Sequence, residues 1–317
     1  MINGARLATV VLVAFALAIA SESKADGFQL QCNNTPFSAP NGPRDVDRSC
    51  DQFGSEDANP NGPKALQNAV KDNLCRSGTT TTLQQDDFVA LQNEAKQRHI
   101  PFGATNSGGS HIEHLPQDRS GLASMMTVGN QEIGEGSMVQ IVTLIDWPHY
   151  ADTVKGESVN CQTPGTDNND IHINLVQTPA PPQPAKNDPD REEKLAERNV
   201  ALCGSITAEI IPHYRPPAWE VPNLQEVERQ HLPVRIAGQL FFDASHRPCT
   251  GTTAHDSLRR ASLWEIHPVY AIDVCTRGSI QDCPADDGTI WIPLHEWITR
   301  NPVTPMDADS AVDAEPE

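Results

Sequence analysis

Five segments in the second half of the chain alternate between apolar and polar residues with the two-residue period of a β-strand. In DIHINLVQ, for example, Ile171 and Ile173 alternate with Asp170, His172 and Asn174. The pattern predicts strands over 137–146, 170–177, 203–211, 232–244 and 262–275. In the fifth segment, it assigns Trp264, Ile266, Tyr270 and Ile272 to one face and Glu265 and His267 to the other.

Helical spacing predicts two helices before these strands and one helix among them. PKALQNAVKDNLC begins at Pro63, a residue that suits a first helical turn. LQQDDFVALQNEAKQRH follows it, and PNLQEVERQH lies between the third and fourth strands. Strand, strand, strand, helix, strand, strand is the order of an OB-fold. We therefore predict a mainly β protein with some α-structure, an OB-like five-stranded Greek-key barrel preceded by a small helical N-terminal region, with a bend or bulge at Gly238.

The N-terminus resembles a secretory signal peptide. Arg6 precedes a charge-free apolar run from Leu7 to Ala20, shorter than the roughly 20 residues of a membrane-spanning helix. The predicted organisation is a signal peptide 1–20, an irregular Asn/Pro/Gly-rich segment 21–62, a small helical region 63–130, a barrel 131–283 with a Pro-rich and charged insertion 178–202, a C-terminal extension 284–304, and an acidic disordered tail 305–317.

The charge of the chain limits its partners. Asp and Glu number 42 against 23 Lys and Arg, so the net charge is −19 and repels phosphate backbones and anionic lipids. No basic patch offsets this charge. We expect an unidentified ligand or protein partner, no nucleic acid, and no membrane span after signal cleavage.

The chain contains eight cysteines, an even number that favours complete disulfide pairing in an exported protein. Eight cysteines allow 105 connectivities, and the sequence does not choose among them. We predict Cys275 with Cys283, which closes a short loop, and Cys161 with Cys203, which ties the ends of the long insertion.

Several motifs resemble a family of exported bacterial proteins of unassigned function. The motifs are GESVNC, DIHINLV, GQLFFDASH and WEIHPVYAIDVC, and the resemblance covers roughly residues 60 to 275. It implies export and an OB-like barrel. It implies no activity, so no functional residue is transferred from it.

A row of acids and histidines is the main candidate site. In OB order, strand three lies between strands two and five, so Asp170, His172, Glu209, Glu265 and His267 fall on one face of adjacent strands. His172, Glu209, Glu265 and His267 are the candidate metal ligands, with Asp170 as a ligand-supporting residue or general base. Asp170 and Glu209 are the catalytic candidates. The alternative is the solvated outer side of a half-buried sheet.

FFDASHRPC offers a second set, Asp243, His246 and Cys249, although an exported cysteine favours a disulfide over a zinc ligand.

The chain contains no G-x-S-x-G, P-loop or G-x-G-x-x-G motif. We therefore favour a disulfide-stabilised binding or interaction protein in the periplasm or outside the cell over an enzyme, and we predict no cofactor. A metal-dependent hydrolase that uses a divalent ion is one alternative, and a structural envelope or matrix component is another.

Overall fold

A computed structural model describes residue 28 and residues 44–56, 59–105, 111–112, 114–249 and 259–302. The predicted signal peptide and the predicted acidic tail lie outside the described residues.

Five strands form a closed barrel. They are β1 (Met138–Tyr150), β2 (Ile171–Val176), β3 (Ile206–Ile210), β4 (Val234–Phe242) and β5 (Trp264–Cys275). β1 pairs antiparallel with β2, and β2 with β3. β3 pairs parallel with β5, β5 antiparallel with β4, and β4 antiparallel with β1, which closes the barrel. This 1-2-3-5-4 order confirms the predicted OB-like fold.

Helices and short strands surround the barrel. The helices are α1 (Asp45–Ser49), α2 (Pro63–Lys71), α3 (Gln85–Gln97), α4 (Arg191–Leu202), α5 (Val221–Arg229) and α6 (Leu294–Arg300). Strand β6 (Trp291–Pro293) extends the sheet beside β5. Thr81–Thr82 pairs with β1, and two-stranded pairs join Ala104–Thr105 to His111–Ile112 and Met126–Val128 to Gln131–Ile133. Single 3₁₀ turns cover Gly54–Glu56, Ser120–Leu122, Thr166–Asn168, Pro217–Trp219 and Ile280–Asp282.

The barrel interior is apolar. Ile173, Ile206, Ile236 and Trp264 belong to one buried cluster with Phe88 of α3. Removal of these side chains from water is the main source of the barrel's stability. α3 is also fixed by hydrogen bonds, because its Phe88 carbonyl accepts one from the Ser262 hydroxyl at 2.8 Å.

The alternation of inward-facing and outward-facing side chains along β5 is interrupted in the middle of the strand, so the predicted position of Tyr270 was wrong. The β4–β5 register shifts on both sides of Val269, which places Val269 in the interior cluster. Tyr270 instead packs outside the barrel against Phe28 and Leu74. Gly238 lies opposite Val269, and a Cβ there would meet the Pro268 carbonyl oxygen at 2.3 Å. The irregularity predicted at this glycine is confirmed.

Three disulfides join described cysteines. Cys275 pairs with Cys283, as predicted. The predicted pairing of Cys161 with Cys203 was wrong, because Cys161 bonds Cys50 and Cys203 bonds Cys249, with Cα atoms 5.6 and 5.5 Å apart. Three disulfides are consistent with an oxidising, exported environment.

Backbone contacts between distant segments bring the correct partners together. The loop that carries Cys161 lies against the segment after α1, where the Ser55 amide donates to the Ser158 carbonyl at 2.8 Å. Cys203 directly follows α4, and nearby the Ala261 amide donates to the Ser205 carbonyl at 2.8 Å. The Cys249 amide donates to the Arg260 carbonyl at 2.8 Å, which holds Cys249 against the same segment. These long-range contacts decided the pairing, and spacing along the sequence did not reveal them.

Within the described ranges, every helix is too short or too polar to cross a bilayer.

Candidate metal centre

The outer face of β2, β3 and β5 is buried. His172 is 4% exposed, Glu209 1% and His267 0%. The alternative prediction of a solvated barrel side was therefore wrong. α2 covers part of this face, since Lys71 Nζ at its C-terminal end lies 3.9 Å from Glu209 Oε2 of β3. We call the acids, histidines and bases between the barrel and its covering segments the polar layer.

Strand register brings the predicted row together. His172 of β2 lies directly opposite Glu209 of β3. The parallel pairing of Ile266 with Ala208 then sets Glu209 beside the polar face of β5. Asp170 immediately precedes β2 and is completely buried.

Three side chains converge as potential metal ligands. Asp170, Glu209 and His267 each offer one ligand atom, and these atoms lie within 4.8 Å of one another. Asp170 Oδ2 is 3.6 Å from His267 Nε2. Asp170 Oδ2 and His267 Nε2 have no hydrogen-bond partner among the described residues, whereas Glu209 Oε2 lies 2.8 Å from His267 Nδ1. Buried polar atoms without a partner are rare in folded proteins and call for an explanation such as a bound ion or water.

Two further side chains border this group. His172 Nε2 lies 3.6 Å from Glu209 Oε1 and 3.6 Å from Glu157 Oε1. Such separations exceed the roughly 2.7–3.2 Å of a hydrogen bond. They match the ~3.4 Å between neighbouring ligands that each lie about 2.1 Å from a tetrahedral metal. His172 and Glu157 are thus placed to complete a coordination sphere.

Glu265 occupies a supporting position. Its Oε1 lies 3.2 Å from His267 Nδ1, a nitrogen that Glu209 Oε2 approaches more closely, at 2.8 Å. Glu265 Oε2 accepts a hydrogen bond from Arg260 Nη1 at 2.6 Å. A metal-bound histidine commonly donates its other ring N–H to a carboxylate, which fixes the ring and its tautomer. Asp170 Oδ2 therefore lies on the Nε2 side of the His267 ring, and Glu265 lies on the Nδ1 side.

Burial and neighbouring charges shift the pKa values of the layer. Burial raises the pKa of Asp170 to about 7, and the negative charge of Glu157 contributes. Burial opposes ionisation of both His267 and Glu209, but attraction to neighbouring opposite charges outweighs it. Glu209 raises the pKa of His267 to about 10. The positive charges of His172, Lys71 and His267 hold the pKa of Glu209 well below its usual value.

The layer contains more acids than bases. Its six carboxylates face two side chains with fixed positive charge, Lys71 and Arg260, and three histidines. The carboxylates are Asp72, Glu157, Asp170, Glu209, Asp243 and Glu265, and the histidines are His172, His246 and His267. Even if these three histidines were charged, one negative charge would be left over, because burial lowers the pKa of the neighbouring His213 and keeps it neutral. A cation or retained protons must compensate for it, since an isolated buried charge is strongly unfavourable.

The second predicted set does not form a zinc site with cysteine. Cys249 is bonded to Cys203. Asp243 instead contacts His246 and accepts a hydrogen bond from the Ser245 hydroxyl at 2.6 Å. It also lies 3.2 Å from Arg260 Nη1. Because Arg260 contacts both Asp243 and Glu265, this set forms one edge of the polar layer.

Sequence reasoning missed Glu157, Lys71 and Asp72. Glu157 lies in the loop between β1 and β2. A loop has no alternation of apolar and polar residues that would indicate which way a side chain points. Lys71 and Asp72 stand at the end of α2, and Lys71 Nζ is 3.9 Å from Glu209 Oε2. Their presence could have been inferred only from chemistry. A buried row of carboxylates requires compensating positive charge from the segment that covers it.

The chain was compared with protein-family models, with curated proteins and with solved structures, and it matches none of them.

Proposed function

We propose that this protein binds a divalent transition-metal ion within the polar layer, with Asp170, Glu209 and His267 as ligands. The observation that carries the proposal is the convergence of these three buried side chains, whose ligand atoms lie within 4.8 Å of one another. His172 and Glu157 are the next candidates for the coordination sphere. Glu265 and Glu209 both face His267 Nδ1, and a proton held there favours the tautomer whose Nε2 can bind metal.

The donor set indicates the class of metal. Imidazole nitrogen suits zinc, iron, nickel and copper, whereas sites built only from oxygen suit magnesium and calcium. The layer combines histidine nitrogens with carboxylate oxygens. We therefore expect zinc to bind more tightly than calcium or magnesium, with manganese between them.

Burial favours metal binding over catalysis. A catalytic metal keeps one coordination position open to water and substrate, whereas a structural or binding site is closed. Asp170, Glu209 and His267 are at most 1% exposed, so the described residues enclose the ligands. A metal-binding protein is thus the better account, and hydrolysis the weaker alternative.

The metal site would operate outside the cytoplasm, in the periplasm or the surrounding medium. Three disulfides support this location, as does the signal peptide predicted from the sequence. The family resemblance stated above is consistent with export.

Metal content tests the proposal. The protein is exported to an oxidising compartment, purified, stripped with a chelator, and dialysed separately against Zn²⁺, Mn²⁺ and Ca²⁺ before elemental mass spectrometry. Asp170→Asn and His267→Ala remove proposed ligands. His295→Ala is the matched control, because His295 lies exposed on α6.

We expect the wild-type protein to bind at least one equivalent of zinc and the two ligand variants to bind one equivalent fewer. The control should bind as wild type does. Folded wild-type protein that retains none of the three metals would refute the proposal.

A further inference from the structure

A second pair of buried, unsatisfied groups lies in the same layer. Asp72 follows α2, and His213 follows β3. Their side chains are 0% exposed, and His213 Nε2 is 3.9 Å from Asp72 Oδ1. Neither carboxylate oxygen of Asp72 has a hydrogen-bond partner within the described part of the chain, and the same holds for His213 Nε2.

A direct hydrogen bond does not explain this pair. The separation of 3.9 Å exceeds the roughly 3.2 Å limit for a good hydrogen bond. A buried carboxylate with two unsatisfied oxygens is strongly unfavourable. Three donor atoms, both oxygens of Asp72 and the imidazole nitrogen, therefore lie in a water-poor site without a described partner.

The other side of the His213 ring is fixed. Nδ1 donates to Asp47 Oδ1 at 2.8 Å, and the Phe28 ring stacks on the imidazole with centroids 4.0 Å apart. Donation from Nδ1 leaves Nε2 as the nitrogen with the lone pair. A carboxylate, then histidine, then metal is the arrangement that orients many metal-binding histidines.

We propose that Asp72 and His213 hold a second divalent cation, so that the polar layer binds two ions. Asp72 contributes its carboxylate, His213 contributes Nε2, and Asp47 orients the imidazole. Asp72 and His213 together supply three donor atoms, and water would supply the rest of the coordination sphere. This inference rests on the proposed metal-binding function and extends it to a second position.

Stoichiometry separates the two positions. Metal-free, full-length protein is titrated with Zn²⁺ and followed by calorimetry, with elemental analysis of the dialysed complex. The variants are Asp72→Asn and His213→Gln, which retain side-chain size, and His267→Ala, which removes a ligand of the first position. Asp118→Asn is the control, because Asp118 is an exposed acid outside the layer. Circular dichroism verifies that each variant folds.

We expect two equivalents of Zn²⁺ for the wild type and the control, and one equivalent for each of the other variants. Asp47→Asn should leave both equivalents but weaken the second by about 10- to 100-fold, as expected for a residue that orients a ligand. Two equivalents in folded Asp72→Asn would overturn the inference. One equivalent in the wild type that disappears in His267→Ala would overturn it too, while leaving the first position intact. Binding of no zinc would reject both proposals.

Discussion

We expect Glu265→Gln to weaken zinc binding at the position formed by Asp170, Glu209 and His267 without abolishing it. Glu265 Oε1 lies 3.2 Å from His267 Nδ1, and Glu265 Oε2 accepts a hydrogen bond from Arg260 Nη1 at 2.6 Å. Glutamine retains an oxygen that can accept from Nδ1 but loses the charge that strengthens the interaction. Arg260 keeps a second carboxylate, Asp243, at 3.2 Å, so the variant should fold.

The size of this effect follows from the role of Glu265. Loss of a residue that orients a metal-binding histidine typically lowers affinity about 10- to 100-fold. That factor corresponds to roughly 1.4–2.7 kcal/mol of binding free energy. Asp170→Asn removes a carboxylate ligand itself and should abolish binding at this position.

Competition with a chromophoric zinc chelator at fixed pH measures both affinities. The Glu265→Gln protein should bind the same number of ions as wild type with a weaker dissociation constant. The assigned roles would be refuted by the opposite pattern, in which Glu265→Gln loses one equivalent and Asp170→Asn retains wild-type affinity.

Three further predictions concern the fold. Gly238→Ala should destabilise the protein by about 3 kcal/mol in chemical denaturation, because the new Cβ would lie 2.3 Å from a carbonyl oxygen. Gly278→Ala has open space and should change stability by less than about 0.5 kcal/mol; equal effects would contradict the packing. Burial raises the pKa of Glu228 to about 7, so its folded state favours the protonated carboxyl and loses stability as pH rises from about 4.5 to 7. Glu228→Gln should therefore be about 1–2 kcal/mol more stable than wild type at pH 8 and equal to it at pH 4; a constant difference would argue against this titration. Cys50→Ala/Cys161→Ala opens a bridge between residues 111 apart and should cost about 4 kcal/mol of unfolding free energy, whereas an unchanged denaturation midpoint would show that the bridge adds no stability.

The order of the barrel was predictable because its strands follow a simple physical rule. Alternation placed Ile173 inside and His172 outside, and the single helix between strands three and four fixed the fold class. The rule failed at Tyr270, where two register shifts change the phase of β5. A local bulge depends on tertiary packing, and Gly238 was the residue from which an irregularity was predicted.

The candidate site was predictable in composition but not in environment. Period-two alternation identified His172, Glu209 and His267 as neighbours. It could not indicate that α2 covers them, because Lys71 and Asp72 reach the layer through long-range packing. Alternation alone does not distinguish a solvent-exposed sheet face from a buried polar one. That difference decides whether the acids and histidines on this face can hold an ion.

Anomalous X-ray scattering from crystals grown with zinc tests the central claim most directly. Data collected on both sides of the zinc absorption edge locate the ion independently of any assumed ligand. We predict a peak about 2.0–2.2 Å from Asp170 Oδ2, His267 Nε2 and a carboxylate oxygen of Glu209. An electron-density map with ordered water among these side chains, and no anomalous peak there, would contradict the account.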